Sequence, residues 1–179
     1  MAVAKVVKVI ANTLLANIKN YGGKRSLKSI KYIVIHYTAN DGDKAINNAK
    51  FFRNNVVKAS AHYFVDDDSC VKSVPIHNIA WSVGGKKYSN CAKTGGGKFY
   101  GICTNANSIN IELCGTIKNG KIYPTQATIN NALTLTRKLM KKYNIDKAHV
   151  IRHFDVTGKP CPAYRTDDKK WKKEFLDKL

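Results

Sequence analysis

The sequence predicts a single-domain α/β protein, and three stretches carry that prediction. "KYIVIHYTA" (31–39) is a β-branched and aromatic run suited to a buried strand. "SINIELCGTI" (108–117) alternates, placing Ile109, Ile111 and Leu113 on one face and Glu112 on the other. "TQATINNALTLTRKLMKKYN" (125–144) repeats Ile129, Ala132, Leu133, Leu135, Leu139 and Met140 at helical spacing, with Thr125 placed to cap it. Strands interleaved with helices indicate a mixed α/β domain. A chain of 179 residues can bury one sizeable core, and an apolar content of 44% is too high for disorder. There is no internal repeat and no linker that divides it. No run approaches the roughly 20 apolar residues a membrane-spanning helix needs.

The remaining elements follow in order. "MAVAKVVKVIANTLLANIKN" is apolar in stretches, but Lys5, Lys8 and Lys19 interrupt it and no small-residue cleavage site stands out. It reads as the start of a structured leader over 1–29, not as a secretory signal. The strand at 31–39 ends near His36. "DGDKAINNAKFFRNNV" (41–56) is a helix that Asp41 or Asp43 can cap, with Ala45, Ile46, Ala49 and Phe52 or the Arg53 stem facing inward. "SAHYFVDDD" and "SCVKSVPI" form a hairpin turning at Asp66–Asp68. Residues 82–107 are long and glycine-rich, and loops of that length inside a domain are functional or mobile. "AHVIRHF" is a short strand, and "DDKKWKKEFLDKL" closes the chain as an amphipathic helix burying Trp171, Phe175 and Leu176 or Leu179.

Thirty-one Lys and Arg against twelve Asp and Glu leave a net charge of +19. A field of that sign gathers polyanions and speeds encounter with them. Nucleic acid, acidic lipid and the anionic polymers of bacterial walls all qualify, and charge alone does not choose among them. Nucleic acid has no further support, because the chain shows no zinc finger, helix-turn-helix or aromatic-studded RNA motif. The five cysteines are irregularly spaced with no CxxC pair, which excludes a zinc ribbon or a redox motif. Four of the five read as buried or partly buried free thiols, although Cys91 and Cys103 flank "AKTGGGKFYGI" at a spacing open to a disulfide.

The chemistry-bearing residues gather in "RHFDVTGKPCPAYR" (152–165), where His153, Lys159 and Cys161 share an irregular loop. His36 stands at the C-terminal end of a strand, where a side chain can project into a cleft. Two imidazoles and a thiolate make a tetrahedral zinc set with the fourth position open to water. His36 by itself would be structural. His62 is a supporting or packing group, and His77 and His149 stay outside the set. His149 is four residues before His153, as on a helical HExxH motif, but the glutamate is missing and the segment is extended. Glu112 is the only acidic residue between Asp68 and Asp146, and it sits in an apolar strand.

"YIVIHYTA", "SAHYFVDDD", "AWSVGG", "NSINIELCG" and "VIRHFDVTGKPCPAYR", in this order, resemble the zinc-dependent N-acetylmuramoyl-L-alanine amidases, a family that includes phage endolysins, autolysins and peptidoglycan recognition proteins. The resemblance spans roughly residues 30–165. It implies an α/β single domain with a central mixed β-sheet flanked by helices and zinc (Zn2+) in a surface groove, peptidoglycan recognition protein-like. On that basis 1–179 is one amidase domain, with its core at about 30–165, the leader at 1–29 and the C-terminal helix at about 166–179. The resemblance implies His36, His153 and Cys161 as metal ligands, and Glu112 and Lys159 as catalytic residues.

Those residue types suit amide hydrolysis. A metal acidifies water and polarises the carbonyl. Glu112 would move the water's proton to the departing nitrogen, and Lys159 would hold the oxyanion. Four positions depart from the family pattern: Ser82 replaces a frequent histidine, Asn110 and Ala163 replace glycines, and Ala61 replaces a tyrosine found in some short phage members. None removes a proposed ligand. The implied function is cleavage of the bond between N-acetylmuramic acid and L-alanine in bacterial peptidoglycan, for cell lysis. A non-catalytic peptidoglycan-binding module and a cytosolic muropeptide-recycling amidase are the alternatives. Retention of Cys161 argues against the first. With no secretory signal evident, synthesis in the cytoplasm and release to the wall through a membrane pore is the expected route.

Overall fold

The computed structural model describes residues 11–179, so the first ten residues of the expected leader lie outside the described residues. In chain order the strands are β1 (Ala11–Thr13), β2 (Tyr21–Lys24) and β3 (Tyr32–Asp41), followed by helix α1 (Ala45–Asn54). Next come β4 (Tyr63–Val65), β5 (Cys70–Lys72), β6 (Asn78–Ala80) and the one-turn α2 (Cys91–Thr94). The chain continues through β7 (Ser108–Lys118), β8 (Lys121–Tyr123) and the long α3 (Gln126–Tyr143). It ends with β9 (Val150–Arg152), α4 (His153–Thr157) and α5 (Asp168–Glu174).

The main sheet runs β1-β5-β4-β7-β3-β9, with β8 paired to β7; β2 and β6 form a separate antiparallel ribbon. β3, β4, β7 and β9 are mutually parallel, while β4–β5 is the antiparallel hairpin, so the sheet is mixed. The pleat divides the side chains. Ile33, Ile35, Ile109, Ile111, Leu113 and Val150 pack against α3 and the C-terminal Trp171 and Phe175. Val34, Ile151 and Val156 form a second core on the opposite face, and Phe64 and Cys114 pack under α1 in a third. His36 and Glu112 are direct partners in the β3–β7 register, so both point to this opposite face.

Helix α3 begins as its sequence indicates: Thr125 Oγ1 accepts from the Thr128 amide at 3.1 Å. Helix α1 does not. Neither Asp41 nor Asp43 caps it; Lys44 occupies the N-cap with no side-chain bond. Instead the Ala45 amide donates to Asp66 Oδ2 at 2.8 Å, a carboxylate supplied from the hairpin turn. Phe52, not Arg53, faces inward and stacks on Phe64. β3 outruns its expected end near His36 and continues to Asp41, but burial stops at His36 and pairing with β7 shifts beyond Tyr37, where Ala39 adopts φ +59°.

The glycine-rich stretch is a buttress. Tyr88 and Phe99 donate backbone bonds to the Thr157 and Asp155 carbonyls at 2.8 Å, and Gly97 donates to Phe154 O at 2.9 Å. The approach is close: a Cβ on Gly96 would meet Gly158 Cα at 2.8 Å, which explains glycine there. Cys91 and Cys103 are both free, buried thiols.

Candidate metal centre and active site

Arg152 anchors the loop that carries the site. The residue is 1% exposed, and its backbone N–H and Nε both donate to Asp155 Oδ2, at 2.8 and 2.9 Å. Nη2 bridges Asp155 Oδ1 and Asp168 Oδ1, each at 2.6 Å, while Nη1 donates to the Arg165 and Thr166 carbonyls. One buried guanidinium thus joins the start of the loop to its end. Between these ties α4 opens with His153, and the Phe154 amide donates to Cys161 O at 2.9 Å, holding Cys161 beside His153. The strand end of β3 brings His36 to the same place.

The metal-capable atoms of His36, His153 and Cys161 all lie within 4.8 Å of one another, and all three residues are buried. Among the described residues this is the one such His/Cys/Asp/Glu cluster. His36 Nδ1 lies 3.7 Å from Cys161 Sγ and 3.9 Å from Glu112 Oε1, and the two imidazole rings meet edge-on at 4.9 Å. Burial, reinforced by His153, holds His36 well below the usual imidazole range. Burial and then Lys159 lower His153 to about 4. Both rings are therefore neutral at pH 7, as metal ligation requires. Burial pushes the Cys161 thiol up to about 12, with Glu112 adding to the shift.

The donor set fits zinc: two nitrogens and a sulfur, neutral or able to lose a proton to the metal. Two buried polar atoms at the site, His153 Nε2 and Glu112 Oε2, have no hydrogen-bond partner. Unpaired buried polar atoms are costly, and two in one place indicate a group that the protein itself does not supply.

Glu112 is raised to about 7 by burial, against the opposing pull of Lys159. Its side chain remains 21% exposed toward a groove. Two adjoining cavities, of about 710 and 170 Å³, share Tyr37, Phe52, Phe64, Glu112, Lys159 and Cys161 as lining. Lys159 is exposed at their edge, whereas His36 and His153 lie on the floor of the smaller one.

The remaining histidines stay apart. His62 is buried and accepts from the Asn110 amide at 3.1 Å, while His149 is bonded to Asp146 on the surface and His77 is exposed. Sequence reasoning missed Arg152 and Asp155, which set the loop, and Asn110, whose Oδ1 lies 3.1 Å from His36 Nε2. Asn110 did leave a signal, as one of the departures from the family pattern. Ser82, another departure, hydrogen-bonds to the Ser60 carbonyl.

Comparison with known proteins identifies the family and the fold. Residues 26–164 match the family model described as N-acetylmuramoyl-L-alanine amidase. The N-acetylmuramoyl-L-alanine amidase CwlL of Bacillus licheniformis is 32% identical, over 97% of this chain and 47% of that protein. The amidase CwlH of Bacillus subtilis is 36% identical over 76% of this chain and 48% of its own length. The chain thus spans about half the length of these curated relatives. Among solved structures, the catalytic domain of XlyA superposes with a TM-score of 0.72 at 26% identity, covering 95% of this chain and 99% of that one. PlyL superposes with a TM-score of 0.71 at 28% identity, covering 94% and 96%. On the family match and these identities, the chain belongs to the N-acetylmuramoyl-L-alanine amidase family.

Proposed function

We propose that the chain is a zinc-dependent hydrolase of the amide bond between N-acetylmuramic acid and L-alanine in bacterial peptidoglycan, acting in cell lysis. The observation that carries this reading is the meeting of His36, His153 and Cys161 within 4.8 Å on the floor of a groove that also contains Glu112. Zinc held by these three residues supplies a Lewis acid that polarises a carbonyl and acidifies water.

The chain's own residues do the rest. Glu112, poised at about 7, can take the proton of the attacking water and return it to the leaving nitrogen. Lys159, at the groove edge, brings positive charge to the oxyanion that forms on the carbonyl. His36 and His153 remain neutral and so stay available as ligands at the pH where Glu112 works. Products are a glycan strand with a free muramic carboxyl and a stem peptide with a free L-alanine amine.

The non-catalytic reading is disfavoured by the intact cluster and by a carboxylate tuned for proton transfer. The recycling reading shares the chemistry and differs in substrate, soluble muropeptide as opposed to intact wall. The test is mass spectrometry of products from purified sacculi. New amino-terminal L-alanine, lost with a chelator and restored by zinc, supports the proposal. Release of reducing sugar ends without new L-alanine amines would sink it, and activity confined to soluble muropeptides would favour recycling.

A further inference from the structure

We propose that Asn110 is a positioning residue that fixes the tautomer of His36, leaving Nδ1 as the bare nitrogen turned toward Cys161 and Glu112. The inference rests on the reading of His36 as a metal ligand.

One chain of hydrogen bonds leads from the surface at Thr104 to the buried His36. Ser108 Oγ lies 2.7 Å from the Thr104 carbonyl, 3.2 Å from Asn110 Nδ2, and Asn110 Oδ1 lies 3.1 Å from His36 Nε2. A backbone carbonyl can only accept, so the single hydroxyl proton of Ser108 is committed to Thr104. The Ser108 oxygen can then only accept from Asn110, which requires the amide NH2 to face it. That orientation turns Oδ1 toward His36, and Oδ1 can only accept. Nε2 of His36 must therefore carry the proton, and a neutral imidazole has just one. The opposite amide flip would ask Ser108 to donate twice.

Ser108 and Asn110 are fully buried and His36 nearly so; only the Thr104 end of the chain reaches the surface, so water does not compete for the bonds that Asn110 makes to Ser108 and His36. The asparagine is itself held in place: its amide N–H donates to His62 Nδ1 and its carbonyl accepts from the His62 amide, at 3.1 and 3.0 Å. A ligating imidazole needs its free nitrogen on the metal side and its N–H on a fixed acceptor, and such partners change metal affinity by about 10–100-fold. The family pattern places glycine at this position, which has no side chain to serve. Asn110 is thus this chain's own means of orienting its first ligand.

The test uses the full chain. In the metal-free protein, imidazole 15N shifts should show His36 protonated at Nε2. Asn110→Ala should mix the two tautomers and weaken zinc binding by about 10–100-fold in competition with a chromophoric chelator. Asn110→Asp, which keeps an acceptor for Nε2–H, should restore the tautomer. A wild-type His36 protonated at Nδ1 would overturn the proposal, even if Asn110→Ala proved unable to fold. So would a folded Asn110→Ala with unchanged shifts and unchanged affinity. If wild type shows the Nε2–H tautomer but binds no zinc, the metal reading fails and the orienting role of Asn110 stands.

Discussion

In the proposed mechanism Glu112 and Cys161 face the same difficulty, a group that must be ionised to work but is buried where ionisation is disfavoured. For Glu112 the consequence extends to stability. Its carboxyl is raised to about 7, above its unfolded value near 4.5. A folded-state pKa raised in this way contributes stability at low pH, and that contribution is lost as pH rises from about 4.5 through 7. Metal-free Glu112→Gln should therefore gain thermal stability over wild type at pH 8 and little at pH 4.5, a comparison that calorimetry can make. The same variant should bind zinc yet lose about 10²–10⁴-fold in turnover, because an amide takes no proton. Near-normal turnover would remove Glu112 from the mechanism. Cys161, pushed up to about 12, stays protonated until a metal displaces its proton. Zinc uptake at pH 7 should release that proton, detectable by titration in buffers of different ionisation enthalpy. Cys161→Ser should bind zinc far more weakly and lose hydrolysis. Lys159→Ala should keep zinc and lose mainly kcat. A serine variant that binds one zinc per chain as tightly as wild type would move the site elsewhere.

At the scale of elements, the site depends on a loop held by a single side chain. Asp155 accepts from the Arg152 backbone and from two guanidinium nitrogens, so it caps α4 and neutralises a buried cation at once. Removing one member of a buried pair costs about 3–5 kcal/mol, and because Asp168 still pairs with the Arg152 guanidinium the loss of Asp155 falls at the lower end of that range. Asp155→Ala should lose stability of that order and lose zinc affinity with it, while Asp177→Ala, whose ion pair with Lys172 is on the surface, should lose under about 1 kcal/mol. Equal losses in denaturant melts would refute the anchoring role. The same loop shows how far the sequence could be read. β7, α3 and the hairpin were legible because periodicity and turn residues are local signals. The α1 cap was not, because Asp66 arrives from the hairpin, twenty-one positions away. Strand order and the buried role of Arg152 were equally hidden, since both depend on partners distant in sequence. His36, His153 and Cys161 were legible as types that suit one metal, but only the β3–β9 pairing and the Phe154–Cys161 bond bring them together.

At the scale of the whole molecule, the net charge of +19 is carried by the surface, because the buried Asp66 and Asp155 are offset by the buried Arg152 and Arg165. Several of the twelve acidic residues turn inward. Asp66 and Asp155 are buried in backbone and guanidinium bonds, Asp43 accepts from the Gly115 amide, and Glu112 faces the groove. Arg152 and Arg165 are buried alongside them, but Arg137, Lys138, Lys141 and Lys142 on α3, and Lys169, Lys170, Lys172 and Lys173 on α5, are all exposed. Both helices cover the face of the sheet opposite His36 and Glu112. A polyanion drawn to them would not obstruct the groove, so attraction and cleavage can proceed on separate faces. We therefore expect the anionic polymers of the wall to concentrate the protein at its substrate. The Debye length shrinks from about 10 Å at 0.1 M salt to about 3 Å at 1 M, so binding to walls should weaken steeply over that range. Reversing Lys169, Lys170, Lys172 and Lys173 to Glu should flatten the salt dependence while leaving cleavage of a small soluble muropeptide intact. Wall binding unchanged between 0.1 and 1 M salt, with the fold preserved, would show that charge is not what brings this protein to its polymer.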